Sequence, residues 1–171
     1  MKKALIIVDV QKDFVDGSLG TKEALDIIDP LIDEINKGYD KIFVTLDTHE
    51  KDYLNTLEGK YLPVEHCVKG TDGWKLNHKV EEALNDKDPI IIEKPTFGSY
   101  ALVQQLTTYQ PDEITLVGLC TDICVISNAL LLRAALSNTK ISVVEKACAG
   151  VTVEKHNAAL EVMKSCQIDI L

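Results

Sequence analysis

Six short apolar runs punctuate the chain: ALIIVDV (4–10), KIFVTLD (41–47), PIIIE (89–93), EITLVGL (113–119), KISVVE (140–145) and IDIL (168–171). They are rich in Ile and Val and apolar throughout instead of alternating, which is the pattern of strands covered on both faces. Between them lie stretches with a helical period. KEALDIIDPLIDEINKG (22–38) sets Leu25, Ile28, Leu31, Ile32 and Ile35 on one stripe and stops at Gly38, with Pro30 as a point of kinking or division. WKLNHKVEEALN (74–85), SYALVQQLTTY (99–109), DICVISNALLLRAALSN (122–138) and VEKHNAALEVMKS (153–165) complete the helical set. Strand–helix alternation predicts an α/β fold, a three-layer α/β/α sandwich around a six-stranded, mostly parallel, Rossmann-like sheet. Segment 48–73 shows no period and is long for a connection, so it is expected to carry function.

Composition narrows the reading. A length of 171 residues suits one domain over 1–171, and 46% hydrophobic with 26% charged residues is ordinary for a globular chain. The net charge of −9 argues against nucleic acid and against anionic membranes as partners. The longest apolar runs are too short to span a bilayer. MKKALIIVDV opens like a leader, but Asp9 interrupts it and no small-residue cleavage site follows, so it reads as a strand. Five cysteines, an odd number without small-scaffold spacing, fit a reducing cytoplasm.

Ligands of open parallel sheets bind at the carboxyl ends of the strands. There the chain places Asp9, then Asp47 with His49, then Lys94, then Cys120 and Cys124 in VGLCTDICV. Two thiols four positions apart admit a disulfide, a metal site, a nucleophile or plain packing.

Five motifs, in order, decide among these: DVQKDF, DTHE, EGKYLPVEHCVKGTDGW, EKPTFGSY and VGLCTDICV. Together they resemble the isochorismatase-like cysteine hydrolases, most closely the nicotinamidases, over essentially the whole chain. The resemblance implies the isochorismatase-like hydrolase fold and a catalytic triad of Asp9, Lys94 and Cys124. It also implies metal ligands at Asp47, His49 and His66, with Glu58 in some members, and a cis peptide between Leu119 and Cys120. The implied cofactor is one divalent transition metal, zinc foremost, with iron or manganese as alternatives. The implied activity is hydrolysis of nicotinamide to nicotinate and ammonia through a thioester, in the recycling of pyridine nucleotides. Phe14 and Trp74 are candidates to flank the ring of this small-molecule substrate, and a homo-oligomer, most simply a dimer, is expected. A metal-free hydrolase of a carbamoyl, ureido or maleamate group, and a non-catalytic binding relative, are the competing functions.

The chemistry sets its own demands. A free thiol is only about 3% thiolate at neutral pH. Cys124 is expected to open helix 122–138, where N–H dipoles favour an anion, with Lys94 adding positive charge and Asp9 taking the proton. Backbone N–H groups of Cys120 and Cys124 would face the oxyanion, each contributing roughly 3 kcal/mol. Cys120 then mostly lends its backbone, Cys67 beside His66 packs or adds a fifth metal ligand, Cys148 and Cys166 are core or semi-buried, and His78 and His156 face solvent.

Overall fold

The computed structural model describes residues 1–171. Its strands are β1 (Lys3–Val8), β2 (Lys41–Asp47), β3 (Ile90–Lys94), β4 (Glu113–Leu119), β5 (Lys140–Ala149) and β6 (Asp169–Ile170). They form one sheet in the order β3-β2-β1-β4-β5-β6, with every neighbouring pair parallel. The helices are α1 (Lys12–Val15), α2 (Lys22–Asp26), α3 (Ile28–Ile35), α4 (Leu57–Tyr61), α5 (His78–Leu84), α6 (Tyr100–Tyr109), α7 (Ile126–Ala135) and α8 (Val153–Ser165). The fold is the α/β architecture expected from the run-and-helix pattern.

The apolar runs are continuous because alternate residues serve opposite layers. Ala4, Ile6 and Val8 of β1 join Leu102, Leu106, Ala129, Leu132, Leu160 and Met163 from α6, α7 and α8. Leu5 and Ile7, one residue out of phase, join Ala24, Leu31, Ile35, Val80 and Leu84 from α2, α3 and α5. Both faces of the strands are thus desolvated, and the sheet sits in the middle of three layers.

Three elements differ from the periodic reading. The stretch 22–38 divides at Ile27, and Pro30 falls in the first turn of α3, where its missing N–H leaves no helical bond unmade. The stretch 74–85 keeps only α5: Lys75 O accepts from Lys12 N, and Asn77 N donates to Val10 O, so the backbone of 75–77 is committed to the segment after β1. β5 continues past 145 to Ala149, across a register shift opposite Leu116 and Gly118, and this bulge exposes Glu145 and Lys146.

Register decides what meets at the sheet edge. Val8 pairs with Thr45 on one side and Gly118 on the other, and Asp47 pairs with Lys94. The strand order reverses at the β1/β4 boundary, where a crevice forms beyond the strand ends. Gly118 makes the close approach possible: its φ is +120°, and a Cβ there would lie 2.2 Å from Val8 O. Gly118→Ala is therefore expected to cost about 3 kcal/mol or more, roughly 6–12 °C in Tm. Gly38→Ala, at φ +81° with nothing within 4 Å, should cost only about 1 kcal/mol. Equal losses in thermal melts of the two variants would contradict this account of the β1–β4 contact.

Candidate active site

Asp9 is the first residue beyond β1. It is fully buried and adopts a left-handed backbone at φ 50°, a conformation that Asp tolerates better than most side chains. Its Oδ1 accepts from Thr45 Oγ1 at 2.6 Å, and its Oδ2 lies 2.6 Å from Lys94 Nζ. Lys94, last residue of β3 and 1% exposed, also donates to Thr96 O at 2.9 Å and approaches Cys124 Sγ at 3.4 Å. Cys124 comes from the turn after β4. That turn is a single π-helical segment, Thr121–Val125, ahead of α7, so the nucleophile candidate sits before the α-helix and does not open a continuous helix 122–138. Asn128 holds the turn by donating to Cys124 O at 2.8 Å. The Leu119–Cys120 peptide is cis, and the Cys120 N–H donates to no protein group.

Burial dominates the electrostatics. It raises the pKa of Asp9, with Lys94 opposing and Asp47 reinforcing. Burial likewise drives the Cys124 thiol well above its usual value, and the Asp9 charge adds to this while Lys94 opposes. A thiol raised in this way beside a carboxylate agrees with the expectation that Asp9 must take its proton. Burial works against the Lys94 ammonium, yet the carboxylates of Asp9 and Asp47 outweigh it and hold the proton on firmly.

A second cluster adjoins the first. One ligand-type atom from each of Asp47, His49, Glu58 and His66 lies within 4.8 Å of the others. Asp47 Oδ2 is 3.0 Å from His49 Nε2 and 3.5 Å from His66 Nε2, while Glu58 Oε1 is 3.6 and 3.7 Å from the same two nitrogens. His66 Nδ1 sits 2.8 Å from the Val64 carbonyl, which only accepts, so Nδ1 carries a hydrogen and Nε2 is the nitrogen that faces the cluster. Burial acts to raise Asp47, but hydrogen bonds from His49 and His66 and the charge of Lys94 hold it well below the usual carboxylate range. Lys94 Nζ is 3.6 Å from Asp47 Oδ1 and so touches both clusters.

Segment 48–73 delivers three of these groups, His49, Glu58 and His66, through structure its sequence conceals. A 3₁₀ turn, Tyr53–Asn55, precedes α4, whose cap Thr56 accepts from Gly59 N at 3.0 Å and sets Glu58 in the first turn. Tyr53 is buried edge-on against the His66 ring and tilted against His49. Gln11 is a further organiser that residue-type reasoning passes over. Its amide accepts from Asp47 N and donates to Asp47 O and Trp74 O, each at 2.8 Å. Asp13 anchors the loop by accepting from Cys67 N at 2.8 Å. Cys67 and Cys148 are buried, Cys120 and Cys166 half-buried, and all five cysteines are free thiols.

Phe14 packs at 5.4 Å on the His66 ring, and Trp74 donates its indole N–H to Thr48 Oγ1 at 2.9 Å. A cavity of about 480 Å³ opens beside the second cluster, and its lining is His49, Thr56, Leu57, Glu58, Tyr61, Pro95, Thr96 and Phe97, without Phe14 or Trp74. His78 is exposed as expected, whereas His156 is half-buried and bonded to Thr121.

A parallel α/β sheet with a buried carboxylate–ammonium–thiol trio at its switch point defines a cysteine-hydrolase-like site. The Isochorismatase domain profile matches residues 3–171, and the chain belongs to the isochorismatase family. It is 31% identical to PncA of Bacillus subtilis, an isochorismatase family protein, over 94% of this chain and 93% of that one. The crystal structure of nicotinamidase/pyrazinamidase PncA from Bacillus subtilis superposes with a TM-score of 0.86 at 29% identity, covering 99% of both chains. The pyrazinamidase of Pyrococcus horikoshii in complex with zinc gives a TM-score of 0.82 at 27% identity, covering 100% of this chain and 99% of that one. No helix of the protein is long and apolar enough to cross a membrane.

The donor set predicts metal capture with a defined pH sign. Burial acts to lower the His66 pKa, but its bonds to Asp47 and Val64 prevail and raise it. A metal must displace that proton, so zinc affinity in a chelator competition should fall as pH drops from about 8 to about 6. His66→Ala should weaken it by at least about a hundredfold. A pH-independent affinity would refute His66 as a ligand.

Proposed function

We propose that the protein is a metal-binding cysteine amidohydrolase that converts nicotinamide to nicotinate and ammonia. The observation carrying this reading is Lys94 Nζ at 2.6 Å from Asp9 and 3.4 Å from Cys124, all buried beside a four-ligand cluster. The likeness to a nicotinamidase/pyrazinamidase and to a zinc-bound pyrazinamidase supports the same activity.

Asp9, its basicity raised by burial, takes the Cys124 proton as substrate enters. The thiolate attacks the carboxamide carbon, and the N–H groups of Cys120 and Cys124 receive the oxyanion. Asp9 returns the proton to the departing ammonia. It then takes a proton from water, whose oxygen attacks the thioester carbon, releasing the acid and restoring the thiol. Lys94 stays protonated throughout, stabilising whichever of the carboxylate and the thiolate is charged.

Asp47, His49, Glu58 and His66 would hold a divalent transition metal, zinc being the best match to two imidazoles and carboxylates. Charge supports the fit. Asp9, Asp47 and Glu58 face one ammonium, which leaves two negative charges for a divalent cation to balance. When bound, the metal supplies a Lewis-acidic anchor for the ring nitrogen. The same cluster disfavours a metal-free hydrolase of ureido or maleamate groups, and the trio disfavours a non-catalytic binder.

Purified, metal-loaded protein should release ammonia from nicotinamide and from the near-isosteric pyrazinamide. Cys124→Ala should abolish turnover while retaining metal, and Asp9→Asn and Lys94→Ala should each lose about a thousandfold or more in kcat. Ammonia release by Cys124→Ala at the wild-type rate would rule the mechanism out.

A further inference from the structure

The turn that carries Cys124 is gripped from behind by residues outside the reacting cluster. Thr121 is fully buried three positions before Cys124, and its Oγ1 lies 2.8 Å from Nδ1 of His156 in the first turn of α8. This is the side-chain hydrogen bond of that hydroxyl. Next to it, Asp122 Oδ1 accepts from Val151 N at 2.9 Å. The packing leaves no slack: a Cβ on Gly150 would stand 2.8 Å from Asp122 Oδ1 and 2.9 Å from His156 N. Residues 150–152, joining β5 to α8, and the first turn of α8 therefore close on the back of the turn. Burial lowers the His156 pKa against the opposing charges of Glu145 and Asp122, so the ring is neutral at neutral pH and its Nδ1 pairs with a hydroxyl in either direction.

We propose that Thr121 and His156 are a positioning pair that holds the Cys120–Cys124 turn in register with Asp9 and Lys94, and so sets turnover without contributing to substrate capture. The proposal rests on the cysteine-amidase reading of the site. The physical ground is leverage. Cys124 Sγ must keep its place against Lys94 Nζ at 3.4 Å, the Cys120 N–H rides on the same turn, and a displacement of about 1 Å in such a constellation costs about a hundredfold in rate. Asn128 secures the turn on its α7 side, whereas on the α8 side the Thr121 side chain makes its one bond to His156.

The test compares Thr121→Val, Thr121→Ser, His156→Ala, His156→Asn and the Thr121→Val/His156→Ala double variant, each loaded with zinc. Thr121→Val and His156→Ala should lower kcat for nicotinamide by about 10- to 100-fold, with KM within about threefold of wild type and zinc content unchanged. Thr121→Ser, which keeps the hydroxyl, and His156→Asn, which keeps a short polar partner, should recover most of the loss. The double variant should be no slower than the slower single one, because both remove the same bond. Unchanged kcat, multiplicative losses in the double variant, or unfolding of Thr121→Val or His156→Ala at 25 °C would overturn the proposal. If the wild-type protein releases no ammonia from nicotinamide, the amidase reading fails on its own. The pair is then judged by the iodoacetamide labelling rate of Cys124, which should change in Thr121→Val and His156→Ala and return in Thr121→Ser and His156→Asn. An unchanged labelling rate would overturn it.

Discussion

The site depends on one buried ammonium. Lys94 has lost nearly all contact with water, and an unpaired charge in that position would cost several kcal/mol. Its proton is kept by what surrounds it: Asp9 at 2.6 Å, the Thr96 carbonyl at 2.9 Å, Cys124 Sγ at 3.4 Å and Asp47 at 3.6 Å. Three strand ends and the β4–α7 turn are thereby tied to one atom. Remove the register that pairs Asp47 with Lys94, or the Gly118 contact that lets β4 lie against β1, and the ammonium loses the neighbours that hold its charge.

The same ammonium makes the trio and the four-ligand cluster one electrostatic unit. Asp47 belongs to both, lowered by the imidazoles and Lys94 while its own charge raises Asp9 and Cys124. A cation at the cluster would draw on the negative charge of Asp47 and relieve that pressure on Asp9 and the thiol. In the proposed mechanism the ligand cluster therefore orients the ring and also tempers the basicity of the group that moves the proton.

The strand ends were legible because a parallel sheet with both faces covered needs unbroken apolar runs, and these stop where polar residues emerge. Asp9, Asp47, Lys94 and the Cys120–Cys124 turn could be placed on one edge from those stops alone. The extent of α5 could not, since Lys75 and Asn77 give their backbone bonds to the segment after β1 in place of another helical turn. Glu58 was legible as a candidate but not as a positioned one, because α4 is a single capped turn, too short to show a period. Gln11 and His156 were illegible as organisers, since a neutral amide or an imidazole in a helical pattern carries no mark of the partner it will meet.

What the residues determined unaided was the layered α/β fold, the chemical types at the strand ends and the family those motifs resemble, all consequences of periodicity and of short local spacing. What required the folded molecule was the balance of charges and contacts: that burial raises the Cys124 thiol, that Lys94 is shared by two clusters, and that α8 meets the turn carrying Cys124 through His156 and Thr121. These depend on distances between groups far apart in the chain and on how much water is excluded around them, and neither quantity exists until the layers close.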